Sequence, residues 1–310
     1  MPGEFDFISW IRSQQRASDF VQLPAGDDLA ILKWKAEDLL LVGVDQVLDG
    51  VHFDSSVHTP RQIGKKVMNR NLSDCAAMAC LPAAAVATVA LPKGSSLDYG
   101  MELYLGMKEA ADVFGCKIVG GDTATWSGRL AVTVSILARS AGVNPVRRSG
   151  AKPGDNIFVT GPIGGSLLGR HMNFIPRIRE AHVLAKLGGV TAMIDLSDGL
   201  SRDLAHICSE SDVGAVIRSA LIPIHEDARN MPGGEWTPLE HALHDGEDHE
   251  LLYTWTGEYP EHPKSLRFPD HGDIRCDLIR IGMITNKPGV FLETDGELTP
   301  LTPKGWEHRF

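Results

Sequence analysis

The chain has 310 residues, a formal net charge of −10, and 43% apolar, 23% charged and 6% aromatic residues. This is the composition of a globular protein with a true core, and the length suggests about two domains. The acidic balance, without any basic stripe, excludes a field that draws the chain to nucleic acid or anionic membranes, and no apolar run is long enough to span a bilayer.

The first residues, Met1 to Phe5, carry neither a basic segment nor an apolar one, so no secretory signal is read there. The five cysteines form no CxxC pair. Free thiols and a cytoplasmic location are expected. The apolar run 39–44 reads as a buried strand that ends at Asp45. Pro60 opens a helix on which Ile63, Val67, Met68, Leu72 and Ala76 recur at helical spacing, and Asn71 and Asp74 share one of its faces. A strand over 86–91 closes at Pro92. Ser95 or Ser96 caps a helix that ends at Gly115. A strand over 116–119 runs into Gly120-Gly121-Asp122-Thr123, and another strand covers 130–138.

The segment 140–155 holds Gly142, Pro145, Gly150, Pro153 and Gly154 and is the candidate boundary, giving domains 1–139 and 140–310. Beyond it come a strand at 157–160, a glycine-rich turn at 161–165 and a helix from Ile178 to Leu187. A strand at 192–196, a helix marked by Leu200, Leu204 and Ile207, and a strand at 215–222 follow. A short helix from Pro238, a strand at 250–255 and a hairpin turn at Asp295-Gly296 complete the pattern. Strands and helices alternate in both halves, which predicts two α/β or α+β lobes.

Five acidic motifs stand out: Gly26-Asp27-Asp28, Val44-Asp45, Asn71-Leu72-Ser73-Asp74, Gly120-Gly121-Asp122-Thr123 and Asp195-Leu196-Ser197-Asp198-Gly199. Any single Asp beside Gly is more often a turn or a cap. Five such motifs, each abutting an apolar segment, favour a shared task. Mg²⁺ takes hard oxygen ligands and bridges carboxylates to phosphates, so an aspartate cluster suits an ATP-using enzyme. No GxxxxGK[ST] loop and no GxGxxG between a strand and a helix is present. The turn at 161–165 is equally suited to contacting a phosphate and to packing a helix tightly. Arg148 can pair with a phosphate, although an isolated Arg is ordinarily a solvated surface charge. His241 and His244, three apart on a helix, are more often surface residues than metal ligands.

Taken together, the stretches 26–32, 44–53, 63–78, 120–126, 147–169, 193–207, 246–252 and 304–310 resemble the thiamine-monophosphate kinase family, of the PurM-like, aminoimidazole-ribonucleotide-synthetase-related superfamily. The resemblance runs through nearly the whole chain in the family's order. It implies a two-lobed α/β fold, with an N-terminal lobe that dimerises through its sheet and a C-terminal lobe built on a mixed sheet. It implies a homodimer that phosphorylates thiamine monophosphate with ATP and Mg²⁺. Carried over residue by residue, Asp27, Asp45, Asp74, Asp122, Asp195 and Asp198 match metal ligands. Gly121, Asp122, Arg148 and Ser197 match ATP contacts, and His52, Glu247 and Trp306 match substrate contacts. Asp122, Arg148 and Asp198 are the implied catalytic residues.

This chain departs from the family's pattern in two places. Gly43-Val44 stand before Asp45 where the family has Thr-Thr. Asp245 and His249 stand where the family has Gly and Tyr. Two other readings remain at this stage: a different ATP-dependent enzyme of the superfamily, or a nucleotide-binding relative without activity.

Overall fold

A computed structural model describes residues 10–16, 18–23, 30–232, 234, 236–257 and 278–306, with the backbone alone for 265–267 and 275–277. Its contacts divide into two compact units, Met1–Cys75 with Cys80–Gly142, and Ala76–Ala79 with Val143–Phe310.

In the first unit a short antiparallel pair, β1 (Val21–Leu23) and β2 (Ile31–Leu32), accompanies a four-stranded sheet. That sheet holds β3 (Leu40–Leu48), β4 (Leu81–Pro92), β5 (Lys117–Trp126) and β6 (Ala131–Arg139) in the order β3-β6-β4-β5. Its helices are α1 (Pro60–Ala77) and α2 (Leu97–Val113). Ser96 caps α2, its side chain accepting from Tyr99 N–H. This satisfies one of the orphan donors at the helix start.

The two helices meet where neither has a side chain. A Cβ on Gly64 would lie 2.1 Å from Leu103 O, and one on Gly106 would lie 2.1 Å from Arg61 O. Backbone therefore packs on backbone, and Arg61 and Lys65 bind Glu109 beside this seam. The Arg61 guanidinium holds the Glu109 carboxyl down at about 2.

One face of the sheet is buried through Val132, Val134, Ile136 and Ala138, with Ala87 and Val89 beside them. The opposite face is open. Leu40, Val42 and Val44 are 51%, 70% and 65% exposed on it. The apolar run 39–44 was expected to be buried, and this corrects that expectation: the strand alternates, and half of its apolar side chains point outward. β5 likewise runs straight through Gly120-Gly121-Asp122-Thr123. Asp45 and Asp122 thus lie inside strands, not at strand ends.

The second unit holds β7 (Asn156–Val159), β8 (Val190–Asp195), β9 (Gly214–Arg218) and β10 (Leu251–Trp255), then a separate pair, β11 (Ser265–Arg267) and β12 (Arg275–Asp277). β13 (Ile279–Thr285), β14 (Gly289–Thr294) and β15 (Glu297–Pro300) complete a seven-stranded sheet ordered β15-β14-β9-β13-β7-β10-β8. Its ladders are antiparallel except β14 with β9, so the sheet is mixed, as expected. The helices are α3 (Ile178–Leu187), α4 (Leu200–Ser211), α5 (Glu226–Asn230) and α6 (Pro238–His244). The core joins Ile157, Val159, Ile194 and Leu252 of the sheet to Leu200, Leu204 and Ile207 of α4. The strand expected over 215–222 stops at Arg218, and a 3₁₀ turn takes Ser219–Leu221.

Candidate functional site

The predicted site residues fall into two groups, one in each unit. In the first unit Asp45 sits on the buried side of β3, paired in register with Val134. There Arg70 of α1 donates to its carboxylate at 2.6 Å. Asp74 lies one turn further along α1 and is exposed, on the same side of the helix as Arg70. His52 follows β3, and its Nδ1 accepts from Leu48 N–H at 3.0 Å. Its backbone oxygen accepts from Lys66, a lysine buried to 0% exposure.

Asp122 belongs to the other face. The register aligns Gln46 with Thr133, Thr133 with Thr88, and Thr88 with Asp122. Gln46 Nε2 donates to Thr133 Oγ1 at 3.1 Å along this polar row. The next row is Val44, Ser135, Val86 and Gly120. Of the two positions where the family carries Thr, 43 shares the face of Asp45 and 44 shares the face of Asp122. Gly121 lies against β4, where a Cβ would meet Ala87 O at 2.0 Å. Asp27 lies outside the described residues.

In the second unit Asp195 ends β8 and is buried. Ser197 and Asp198 form the turn into α4, and both are half-buried. Three segments converge on this turn. Glu247 N–H donates to Ser197 O at 2.8 Å, His249 N–H to Leu196 O at 2.8 Å, and Trp306 N–H to Asp198 O at 3.0 Å. The implied substrate residues Glu247 and Trp306 are thereby tied by backbone bonds to the implied metal turn. Glu247 and His249 both hold positive φ, +60° and +51°, in a region where non-glycine residues are uncommon. Trp306 is 52% exposed. Arg148 is also exposed. Its backbone oxygen accepts from Ser211 Oγ at 3.2 Å.

Two further residues join the turn that the motif reading passed over. Ligand atoms of Asp198, Asp203 and His206 all lie within 4.8 Å of one another. Asp203 Oδ2 accepts from the N–H groups of Asp198 and Gly199, both at 3.1 Å. Burial pushes the Asp203 carboxyl well above the ordinary carboxylate range, and the charges of Asp198 and Asp195 push it further. The sequence signal was available, since Asp203 and His206 are three apart on the helix that follows Asp198.

The glycine-rich turn at 161–165 is not a phosphate cradle. Gly164 N–H donates to Asp248 at 2.9 and 3.0 Å, and Gly165 N–H donates to Asp245 at 2.7 Å. A Cβ on either glycine would strike the backbone of Ala242 or Ala228. Only a 3₁₀ turn, Ser166–Leu168, follows. Of the two readings of this turn the packing one holds, since the N–H groups of both glycines are taken by two buried carboxylates.

His241 and His244 are likewise buried and not surface residues. His241 Nδ1 faces Asp245 at 3.0 Å, and His244 Nδ1 faces Ser201 Oγ at 2.9 Å. The Asp245 departure thus has a structural use, bridging the Gly165 turn to α6.

Asp248 is 3% exposed and paired with Arg170 at 3.0 Å. Burial nevertheless carries its carboxyl up to about 7, against the pull of Arg170 and the Gly164 N–H. Between about pH 4 and 7 the unfolded chain has released this proton while the folded chain keeps it. Stability therefore falls as pH rises through that window, by at most about 1.4 kcal/mol per unit, and levels off above it. Asp248→Asn lacks the titration. From pH 4.5 to 7 the urea unfolding free energy of the variant should gain on that of the native sequence by on the order of 3 kcal/mol. A constant difference would show that Asp248 stays ionised against Arg170 throughout.

Residues 26–140 match the family described as AIR synthase related protein, N-terminal domain. The chain is 36% identical to the thiamine-monophosphate kinase of Rhodopirellula baltica, over 98% of this chain and 97% of that one. The crystal structure of thiamine-monophosphate kinase from Stenotrophomonas maltophilia K279a superposes with a TM-score of 0.78 at 29% identity, covering 96% of this chain and 98% of the other. A structure described as AaThiL complexed with AMPPCP and TMP gives a TM-score of 0.74 at 29% identity, covering 99% and 97%.

Proposed function

The chain belongs to the thiamine-monophosphate kinase family and is a phosphotransferase; from that premise we propose that it moves the γ-phosphoryl group of ATP onto thiamine monophosphate, giving ADP and thiamine diphosphate. The observation that carries this reading is the convergence of Ser197, Asp198, Glu247 and Trp306 on one turn. A relative that covers the chain from end to end holds a nucleotide analogue and TMP together.

The donor set fits a hard divalent cation. Asp195, Asp198 and Asp203 gather three carboxylates about one turn, where burial first and their mutual repulsion second drive the Asp203 proton affinity up, and oxygen ligands of that kind are what Mg²⁺ takes. Asp195 and Asp198 in the second unit, and Asp45, Asp74, Asp122 and Asp27 in the first, are the proposed holders. Mg²⁺ supplies neutralisation of the phosphate charge and Lewis-acid polarisation of the transferring group.

The protein's own residues do the rest. Trp306 offers a flat aromatic face to the thiazolium cation, a cation–π arrangement. Glu247, fixed by its N–H on Ser197 O, offers an anionic group beside it. The guanidinium of Arg148 stands exposed as a charge partner for ATP phosphates. The acceptor is a phosphate oxygen of the substrate, already ionised near neutral pH, so no general base is required. One bond forms between that oxygen and the γ-phosphorus, and the bond to the β–γ bridging oxygen breaks as ADP leaves. Catalysis is then positioning together with charge neutralisation.

The same reading includes a homodimer formed through the open face of the first unit's sheet. Leu40, Val42, Val44 and Val86 form an exposed apolar patch there, and Asp122 lies in the row beside it. Contiguous patches of this kind mark interaction surfaces. A cytoplasmic location accords with ATP as co-substrate and with the free, buried Cys75, Cys80, Cys116 and Cys208. No helix among the described residues is long and apolar enough to cross a membrane.

Purified protein given Mg-ATP and thiamine monophosphate should form ADP and thiamine diphosphate in equal amounts, with none in EDTA. Incubation with γ-labelled ATP alone should leave no label on the protein. Nucleotide binding without thiamine diphosphate would move the substrate assignment elsewhere in the superfamily, and labelled protein would replace direct in-line transfer by a phospho-enzyme route.

A further inference from the structure

His249 has no task in the mechanism above, yet it is among the most constrained side chains of the second unit. It is 3% exposed. Its ring lies flat on Phe174, with centroids 3.9 Å apart and planes 17° apart. Nδ1 stands 3.3 Å from Asp195 Oδ2. Nε2 is buried and has no hydrogen-bond partner among the described residues.

A side chain selected only to fill this space would be apolar or phenolic, as in the resembling family, and would not leave a ring nitrogen desolvated and unmatched. The ring of His249 makes one polar contact among the described residues, with Asp195. A carboxylate only accepts, so Nδ1 carries the proton and Nε2 the lone pair, which fixes the tautomer. The backbone reinforces the placement. His249 N–H is bonded to Leu196 O, Leu196 N–H to Glu250 O, and Leu251 is in register with Asp195. The segment that carries the imidazole is thus stitched to the segment that carries the carboxylate.

We propose that His249 is a positioning residue: its Nδ1–H holds the Asp195 carboxylate in one orientation and so sets how Asp195 presents its oxygens to the cation. The proposal rests on the reading of Asp195 as a metal ligand. Groups that hydrogen-bond a ligating side chain typically change metal affinity by about 10–100-fold when removed.

The test is Mn²⁺ binding, followed by the electron paramagnetic resonance of the free ion, in the full-length protein with a non-transferable ATP analogue. His249→Phe keeps the stack on Phe174 and deletes the donor. It should bind Mn²⁺ about tenfold more weakly, with thermal unfolding no lower than that of the native sequence. His249→Asn restores an N–H near the Nδ1 position, on a residue that tolerates positive φ. It should bind within about threefold of the native affinity. His249→Leu replaces the Phe variant if that one does not fold. Native affinity in His249→Phe, or equal weakening in the Asn and Phe variants, overturns the proposal. Asp195→Asn separates the two levels: if it binds Mn²⁺ as tightly as the native protein, the ligand assignment itself falls. If it binds weakly while His249→Phe does not, only the role of His249 falls.

Discussion

Replacing Asp122 with Ala is expected to slow thiamine diphosphate formation by about a thousandfold, the several kcal/mol that charge stabilisation at a transferring phosphoryl group is worth. The melting temperature should stay within about 2 °C, as for surface substitutions that break no structural contact. The structure makes this separation of effects unusually clean. Asp122 is exposed on the open face of β5, and no ion pair or hydrogen bond of its side chain is found among the described residues. Nothing in the fold needs its charge, so an activity loss cannot be charged to unfolding. Asp45 is a poorer probe, because removing it also breaks its ion pair with Arg70, at 2.6 Å. A coupled assay of ADP release at saturating Mg-ATP, run beside a thermal melt, measures both quantities. A variant that retains a tenth or more of the native rate would remove Asp122 from the reacting phosphates.

Gly106→Ala should destabilise the protein, although Ala in place of Gly inside a helix ordinarily gains about 1 kcal/mol. The reversal comes from the seam between α1 and α2, where the added Cβ would meet Arg61 O at 2.1 Å. Backbone cannot step aside as a side-chain tip can, so the helices must separate along a stretch that buries Ile63, Val67, Leu103 and Met107. Overpacking of a tight core costs about 1–3 kcal/mol and sometimes more. We expect the upper end of that range, about 3 kcal/mol, for Ala, and failure to accumulate as folded protein for Val. Gly64→Ala should behave alike, since its Cβ would meet Leu103 O at the same distance. Urea unfolding followed by circular dichroism gives the sign directly, and a midpoint at or above that of the native sequence would show that the helices yield.

Much of the fold could be read before the structure. The helix over Ile178–Leu187 and its glycine stop, and the Ser96 cap of α2, follow from local chemistry that needs no distant partner. What failed needed knowledge of the other side of a sheet or of a remote segment. The run 39–44 looks buried on both faces because it is continuously apolar, and nothing in it reveals that Val42 and Val44 face outward. Asp45 and Asp122 look like strand-end residues because the strands that contain them continue into polar sequence. Gly164 and Gly165 look like a phosphate loop until Asp245 and Asp248, some eighty residues later, take their N–H groups. A separation of 54 residues likewise hides His249 from Asp195. The turn Asp195–Gly199 stands out in the sequence, whereas Asp203, inside the helix it opens, does not, because it lies beside neither glycine nor serine.

The strand order of the second unit also bears on how the protein is made. β7 leaves the ribosome early, but its neighbours in the sheet are β10 and β13. At translation speeds of about 5–20 residues per second, β10, the first of the two to be made, emerges roughly 90 residues after β7, on the order of ten seconds later. During that interval Ile157, Phe158 and Val159, all destined for full burial, have no strand to pair with. The sheet of the first unit, by contrast, has all its strands once Arg139 has been added. The nascent chain thus carries a finished half and an adhesive one, and the second half is where chaperones have the most to hold.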